Sequence, residues 1–296
     1  MERIDLSVAL LRQRLVTLLA AMPAAQAGDE SSVHQARVAS RRLREALPLL
    51  GVAADASALG QAQKRVRRIT RALGPVRELD VCLQVLAEFD GKSATPARAV
   101  ARVRAAIAAE RDKRRREMLE AITPSHLDKL RRKLVRVAAP GTPGLAPADG
   151  AAEALSQAGE RAVRLRAAIE RAGGIYLPDR LHRVRIAAKK LRYALEIHRE
   201  LVRSRSHARL NRLKAQQDLL GRIHDLEVLI DRTRLVQEGL ASSNRRGTAE
   251  LDALVRVLED ECREGHAAYM QARPGLLKLC EEVIATARVD RPTAVA

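Results

Sequence analysis

A block of fifteen residues occurs twice in this chain, half a chain length apart. Val33-His-Gln-Ala-Arg-Val-Ala-Ser-Arg-Arg-Leu-Arg-Glu-Ala-Leu47 returns as Leu181-His-Arg-Val-Arg-Ile-Ala-Ala-Lys-Lys-Leu-Arg-Tyr-Ala-Leu195, at an offset of 148 residues. A second block, Leu73-Gly-Pro-Val-Arg-Glu-Leu-Asp-Val81, returns as Leu220-Gly-Arg-Ile-His-Asp-Leu-Glu-Val228 at an offset of 147. Two blocks repeating in one order at nearly one offset indicate tandem homologous halves. Between them, Ala, Leu, Arg and Glu dominate and apolar residues recur at helical spacing, so the expected fold class is all-α. The strongest break is Ala138–Ala152, with three prolines and three glycines. It predicts a first helical bundle over residues 1–138, a Pro/Gly linker over 139–152 and a second bundle over 153–290, each of about four long helices. Weaker breaks are expected at Met22–Ser32, Gly51–Ser57, Gly91–Thr95, Gly173–Asp179 and Ala241–Gly247.

The repeated blocks carry charge in a pattern. On a helix, His34, Arg37, Arg41 and Arg44 span an arc of about 80°. Ala36, Ala39, Leu43, Ala46 and Leu47 occupy the opposite face. The second copy gives the same row: His182, Arg185, Lys189 and Arg192. Like charges at these spacings repel by a few tenths of a kcal/mol per pair unless an anion compensates them. That cost, borne twice, favours a binding row over a merely solvated face. The histidines follow Ser31-Ser32 and Pro178-Asp179, which predicts that each sits in a first helical turn beside free backbone N–H groups. Lys64, Arg67, Arg68 and Arg71 form a further basic arc, diluted in the second half to Asn211, Lys214, Ala215 and Asp218. Gly74 and Gly221 are expected to end helices in the left-handed conformation, with Pro75 restarting one. Arg77 and His224 are candidates to join the basic surface, while Glu78 and Asp225 are expected either to hold neighbouring guanidiniums in position or to belong only to a helix–helix turn.

Overall, 54 Lys+Arg against 36 Asp+Glu give a net charge of +18, which calls for a polyanionic partner. Residues 1–148 hold 27 basic and 15 acidic groups (+12) and residues 149–296 hold 27 and 21 (+6), so the first half should bind more strongly. Arginine supplies most of the cations, which suits bidentate contacts to phosphate. The aromatics are Phe89, Tyr176, Tyr193 and Tyr269 alone, too few for a base-stacking platform. No apolar run of bilayer length is expected, since Arg12 and Arg14 interrupt Val8–Met22, and no secretory signal pattern is present. Cys82, Cys262 and Cys280, at no metal-binding spacing, read as reduced core thiols.

His34-x-x-Arg37-x-x-x-Arg41-Arg42-Leu43-Arg44 with Leu73-Gly74-x-x-Arg77-Glu78 resembles the CHAD family, the conserved histidine α-helical domain. So does His182-x-x-Arg185-x-x-x-Lys189-Lys190-Leu191-Arg192-Tyr193-Ala194-Leu195-Glu196 with Leu220-Gly221-x-x-His224-Asp225. The resemblance covers nearly the whole chain and implies two four-helix bundles related by pseudo-twofold symmetry about a basic central groove. It also implies binding of inorganic polyphosphate and association with polyphosphate granules. Pro75, Glu78 and His224 depart from the usual pattern. In some relatives the domain is fused to a triphosphate-cleaving domain with a Glu-x-Glu-x-Lys motif, which this chain lacks.

The expected binding set is therefore His34, Arg37, Arg41, Arg42, Arg44, Lys64, Arg67, Arg68, Arg71 and Arg77 from the first half, with His182, Arg185, Lys189, Lys190, Arg192 and Lys214 from the second. Arg104, Arg111 and Arg115 are candidates to extend the groove. The expected location is cytoplasmic and granule-associated, with possible granule proteins as partners and no membrane. Rival readings are a backbone-only nucleic-acid binder with a convex basic face, and an accessory or regulatory protein of phosphate metabolism. No phosphate-binding loop, nucleophile elbow or metal-spaced His/Cys pair supports an enzyme, so no catalytic residue, cofactor or metal is expected.

Overall fold

The computed structural model describes residues 6–50, 56–92, 95–137, 147–241 and 244–289. Among them the chain is all-helical, without strands. The order is α1 (Leu6–Ala27), α2 (Glu30–Leu50), α3 (Ala56–Ala87), α4 (Ala97–Ala121), α5 (Pro124–Val137), α6 (Pro147–Ala172), α7 (Pro178–Leu201), α8 (Ala208–Glu238) and α9 (Arg245–Val289).

Three apolar clusters hold these helices together. The first joins α1, α2, α5 and the first part of α3 through residues such as Leu11, Leu18, Leu43, Leu47, Val66 and Leu134. The second joins α6, α7, the start of α8 and the end of α9 through Leu165, Ile169, Val184, Leu191, Leu220 and Val283. The third belongs to both halves: Leu79, Leu86, Phe89, Val103 and Ile107 pack with Leu226, Ile230, Leu251, Leu254 and Leu258. The first cluster also takes in Ala154 of α6 and Ile197 and Leu201 of α7. The physical reason for this sharing is length. At about 1.5 Å per residue, α3, α8 and α9 each outrun one core and enter another.

Several expected boundaries move. The linker expected over 139–152 ends earlier, because α6 starts at Pro147, where proline's fixed φ and missing N–H suit a first helical turn; residues 139–146 lie outside the described residues. The first half has five helices, since a break at Ile122–Thr123 separates α4 from α5. At the Met22–Ser32 break, Gly28 has a φ of +97°, a left-handed conformation open to glycine at little cost. Arg115 donates there to the carbonyls of Gln26 and Ala27, which capture the open end of α1.

The helix end expected at Gly74 does not occur. α3 runs through Gly74 and Pro75, and α8 runs through Gly221. A Cβ on Gly74 would stand 2.7 Å from Nη1 of Arg37, so the glycine makes room for a guanidinium laid on the helix. At Gly221 the nearest atom to such a Cβ is Nε of Arg185, at 3.9 Å. Gly74→Ala should therefore raise helix stability by up to about 1 kcal/mol while displacing Arg37. Thermal melting paired with ligand titration checks this: the melting temperature rises and affinity falls, whereas Gly221→Ala leaves affinity unchanged.

α1 is long and apolar enough by composition to cross a bilayer, contrary to the sequence expectation. Its apolar face is nevertheless buried against α2 and α5. Arg14, 9% exposed, forms a 2.6 Å ion pair with Glu200 of α7. These contacts make α1 a core helix of the bundle.

Candidate functional site

α2 and α7 pack beside each other and bring the two histidine-arginine rows together, while α3 and α8 bring the second blocks against them. The four helices enclose a concave cleft of about 670 Å³. His34, Arg37, Arg41, Arg42 and Arg77 line it from the first half, and Arg185, Lys189, Arg192 and His224 from the second.

The ion-pair pattern separates these cations into two kinds. Some are clamped: Arg42 and Arg192 share Glu196, at 3.3 and 3.4 Å, which ties one repeat to the other. Arg185 lies 3.7 Å from Asp225, and Arg77 lies 3.5 Å from Glu30. Arg37, Arg41 and Lys189 are different: no carboxylate lies within ion-pair distance of them among the described residues. Three like charges thus converge, partly desolvated, on one cavity.

Their electrostatics record the strain. Burial, followed by the charge of Arg41, lowers Arg37 to about 10. Lys189 falls to about 7, first through burial and then through Arg185 and Arg41. Burial is also the first cause of the downward shifts of His34 and His182, and nearby cations add to it. His224, pushed down to about 3, stands with its Nδ1 3.2 Å from Nδ1 of His182. Asp225 is raised by burial against the opposing pull of Arg185 and Lys189.

Both histidines occupy the fifth residue of their helices, not the first turn. Asp29 caps α2, accepting from the Ser32 amide at 2.7 Å, so the helix starts ahead of the serines expected to cap it. The free amides expected beside His34 are therefore one turn away. His34 reaches the cleft, whereas His182 stands behind His224.

Other expected site residues lie elsewhere. Arg44 pairs with Glu45, which also holds Arg161 of α6. Lys190 and Lys214 are exposed away from the cleft lining. Lys64, Arg68 and Arg71 line a separate groove, with Arg67 exposed on the same helix. Arg104, Arg111 and Arg115 do not extend the cleft. Arg104 is held by Asp90, Arg111 by Asp80 of α3 and Arg115 by the α1 carbonyls. Glu78 does hold a guanidinium, that of Arg232, at 3.3 Å.

The cleft also includes residues absent from the expected set. Arg222 lines it and is held by Glu88 and Glu261 at 2.8 and 3.3 Å. Gln217, 4% exposed, donates to the Ala188 carbonyl while its Oε1 has no partner. The signal for Arg222 was its place directly after Gly221 in the second block; its counterpart is Pro75, which hid it. Among the described residues no group of three or more His, Cys, Asp or Glu suits a metal ion. All three cysteines are buried and free, with burial pushing the thiols up.

A family model described as CHAD domain matches residues 9–234. Among solved structures, the CHAD domain from the plant Ricinus communis is similar over 89% of this chain and 91% of its own, with 25% identity and a TM-score of 0.62. PptA from Streptomyces chartreusis is 18% identical, with a TM-score of 0.65 over 90% of this chain and 98% of its own, a likeness of fold. No match is found among curated proteins.

Proposed function

The chain belongs to the CHAD domain family, and we propose that its central cleft binds inorganic polyphosphate. The observation that carries this reading is the convergence of Arg37, Arg41 and Lys189, from two repeats, on one cavity in which none of them has a carboxylate within ion-pair distance, the nearby Glu78 and Asp225 being held by Arg232 and Arg185. A linear phosphate chain supplies closely spaced negative charge and many acceptor oxygens. Each charge-assisted contact contributes about 1.5–3 kcal/mol, so a few suffice for tight binding after ordering costs.

The concave form of the cleft supports polyphosphate over duplex nucleic acid, which needs a convex or broad basic face. The scarcity of aromatics supports a ligand without bases. Of the acids lining the cleft, Glu78, Glu88 and Asp225 each lie beside a guanidinium, and burial pushes the Cys82 thiol up to about 12, which favours binding without turnover. The proposed role is a polyphosphate-binding protein of the cytoplasm, directed to polyphosphate granules by this cleft.

Isothermal titration with long-chain polyphosphate tests the reading, with duplex DNA as competitor. Polyphosphate should displace DNA at far lower phosphate concentration; the reverse order would favour a nucleic-acid binder. Affinity should also fall steeply between about 50 and 200 mM salt as counterions are retained by the free polyanion. A salt-independent constant contradicts binding by these cations.

A further inference from the structure

We propose a second oligophosphate site, separate from the cleft, in the groove between α3 and α4. The proposal rests on the polyphosphate reading for its ligand class and on a different set of residues for its location. The groove, of about 500 Å³, is lined by Lys64, Arg68 and Arg71 of α3 and by Arg114, Met118 and Ala121 of α4. It shares no lining residue with the central cleft.

Three observations point to an anion. The first is local composition. From Ala56 to Arg77, α3 carries Lys64, Arg65, Arg67, Arg68, Arg71 and Arg77 and no Asp or Glu. Exposed helices normally intersperse the two signs, because like charges at i, i+3 and i+4 repel.

The second is pairing. Lys64, Arg68 and Arg71 have no carboxylate within ion-pair distance among the described residues. The acid in the groove, Glu117, is occupied by Arg114 at 3.0 Å. The third is placement. Lys64, Arg68 and Arg71 stand at i, i+4 and i+7, a row about 10 Å long on one face. Arg68 is set in that row by a 3.2 Å hydrogen bond from its Nε to the Ala121 carbonyl. This leaves its terminal nitrogens for a ligand. The apolar floor of Met118 and Ala121 supports the arginine stems.

A row of exposed cations in water binds less tightly than a desolvated cleft. The groove should therefore give a second binding event roughly 10- to 100-fold weaker than the first. Two sites of unequal strength would let one protein hold two segments of phosphate polymer at once.

The test is calorimetric titration with inorganic tripolyphosphate at low salt, too short a probe to span both sites. The wild type should bind in two phases. Lys64→Ala/Arg68→Ala/Arg71→Ala should abolish the weak phase and leave the tight constant within about twofold. A control of equal charge change, Arg256→Ala/Lys278→Ala/Arg288→Ala on exposed positions of α9, should keep both phases.

The outcomes separate the two readings. A weak phase that survives the α3 substitutions, or that the α9 control also abolishes, overturns the second site and leaves the cleft intact. A tight phase indifferent to Arg37→Ala/Arg41→Ala overturns the cleft assignment, and the weak phase still reports on the groove.

Discussion

Arg37→Ala/Arg41→Ala should weaken binding of long-chain polyphosphate by at least about 100-fold without lowering the melting temperature. The affinity loss follows from removing two charge-assisted contacts of about 1.5–3 kcal/mol each. The stability result is the more telling half. Burial and the facing charge of Arg41 hold Arg37 below its ordinary value against the weaker opposing pull of Glu78, and neither residue has a carboxylate within ion-pair distance among the described residues. Deleting the pair relieves repulsion in the empty cleft and offsets the packing lost with the two stems. A residue retained for folding behaves in the opposite way. If the double variant melts well below wild type and binds as tightly, these arginines are structural and the cleft assignment fails.

The second large effect is on pH dependence. Lys189 is the cleft cation nearest to titrating at neutrality, at about 7. The charges facing it are Arg185 on its own helix, Arg37 and Arg41 on α2, and Asp225 on α8. A bound polyanion favours the ammonium, so binding takes up a proton wherever the free lysine is neutral. From pH 6 to pH 8 the protonated fraction of the free lysine falls from about nine-tenths to about one-tenth, and affinity should fall about tenfold. His34 and His182 are held below their usual range in the free cleft, chiefly by burial. This moves the pH dependence away from the histidines, on which the sequence pattern alone would place it.

Lys189→Met should abolish most of the slope between pH 6 and 8, read by titration at each pH. The same substitution acts oppositely on folding. The unfolded lysine titrates near 10.4 and the folded one near 7, so the unfolded chain holds more protons between those values. Wild-type stability from this group therefore rises with pH across that window, and below pH 7 the buried ammonium remains a cost. At neutral pH the free Lys189→Met protein should melt roughly 2–4 °C higher, while binding more weakly. A wild-type slope that persists in Lys189→Met assigns the proton to another group.

Much of the fold was legible because helices announce themselves locally. Apolar spacing marked the helical segments, and the breaks near Gly28, Gly91, Gly173 and Ala241 fell where the helices part. Gly74 and Pro75 misled because a glycine-proline pair usually interrupts a helix, and nothing nearby in sequence shows a guanidinium arriving from residue 37. The cleft residues of the two rows were legible for the same local reason: helical spacing puts His34, Arg37 and Arg41 on one face, with their repeats beside them. Arg44 followed the same spacing and left the cleft: it pairs with Glu45, which also holds Arg161 of α6, a contact that only packing supplies.

By itself, the sequence determined the helical class, the duplication and the identity of the residues that carry positive charge, since each follows from short-range spacing. Only the tertiary structure decided which of those charges are neutralised. A salt bridge such as Arg42–Glu196 or Arg14–Glu200 joins residues more than 150 positions apart, and no local pattern foretells it. What distinguishes Arg37, Arg41 and Lys189 from the other arginines of the cleft is the lack of such a partner together with partial burial. Both are properties of the assembled fold, and they divide a general charge of +18 into a central cleft and an outer groove.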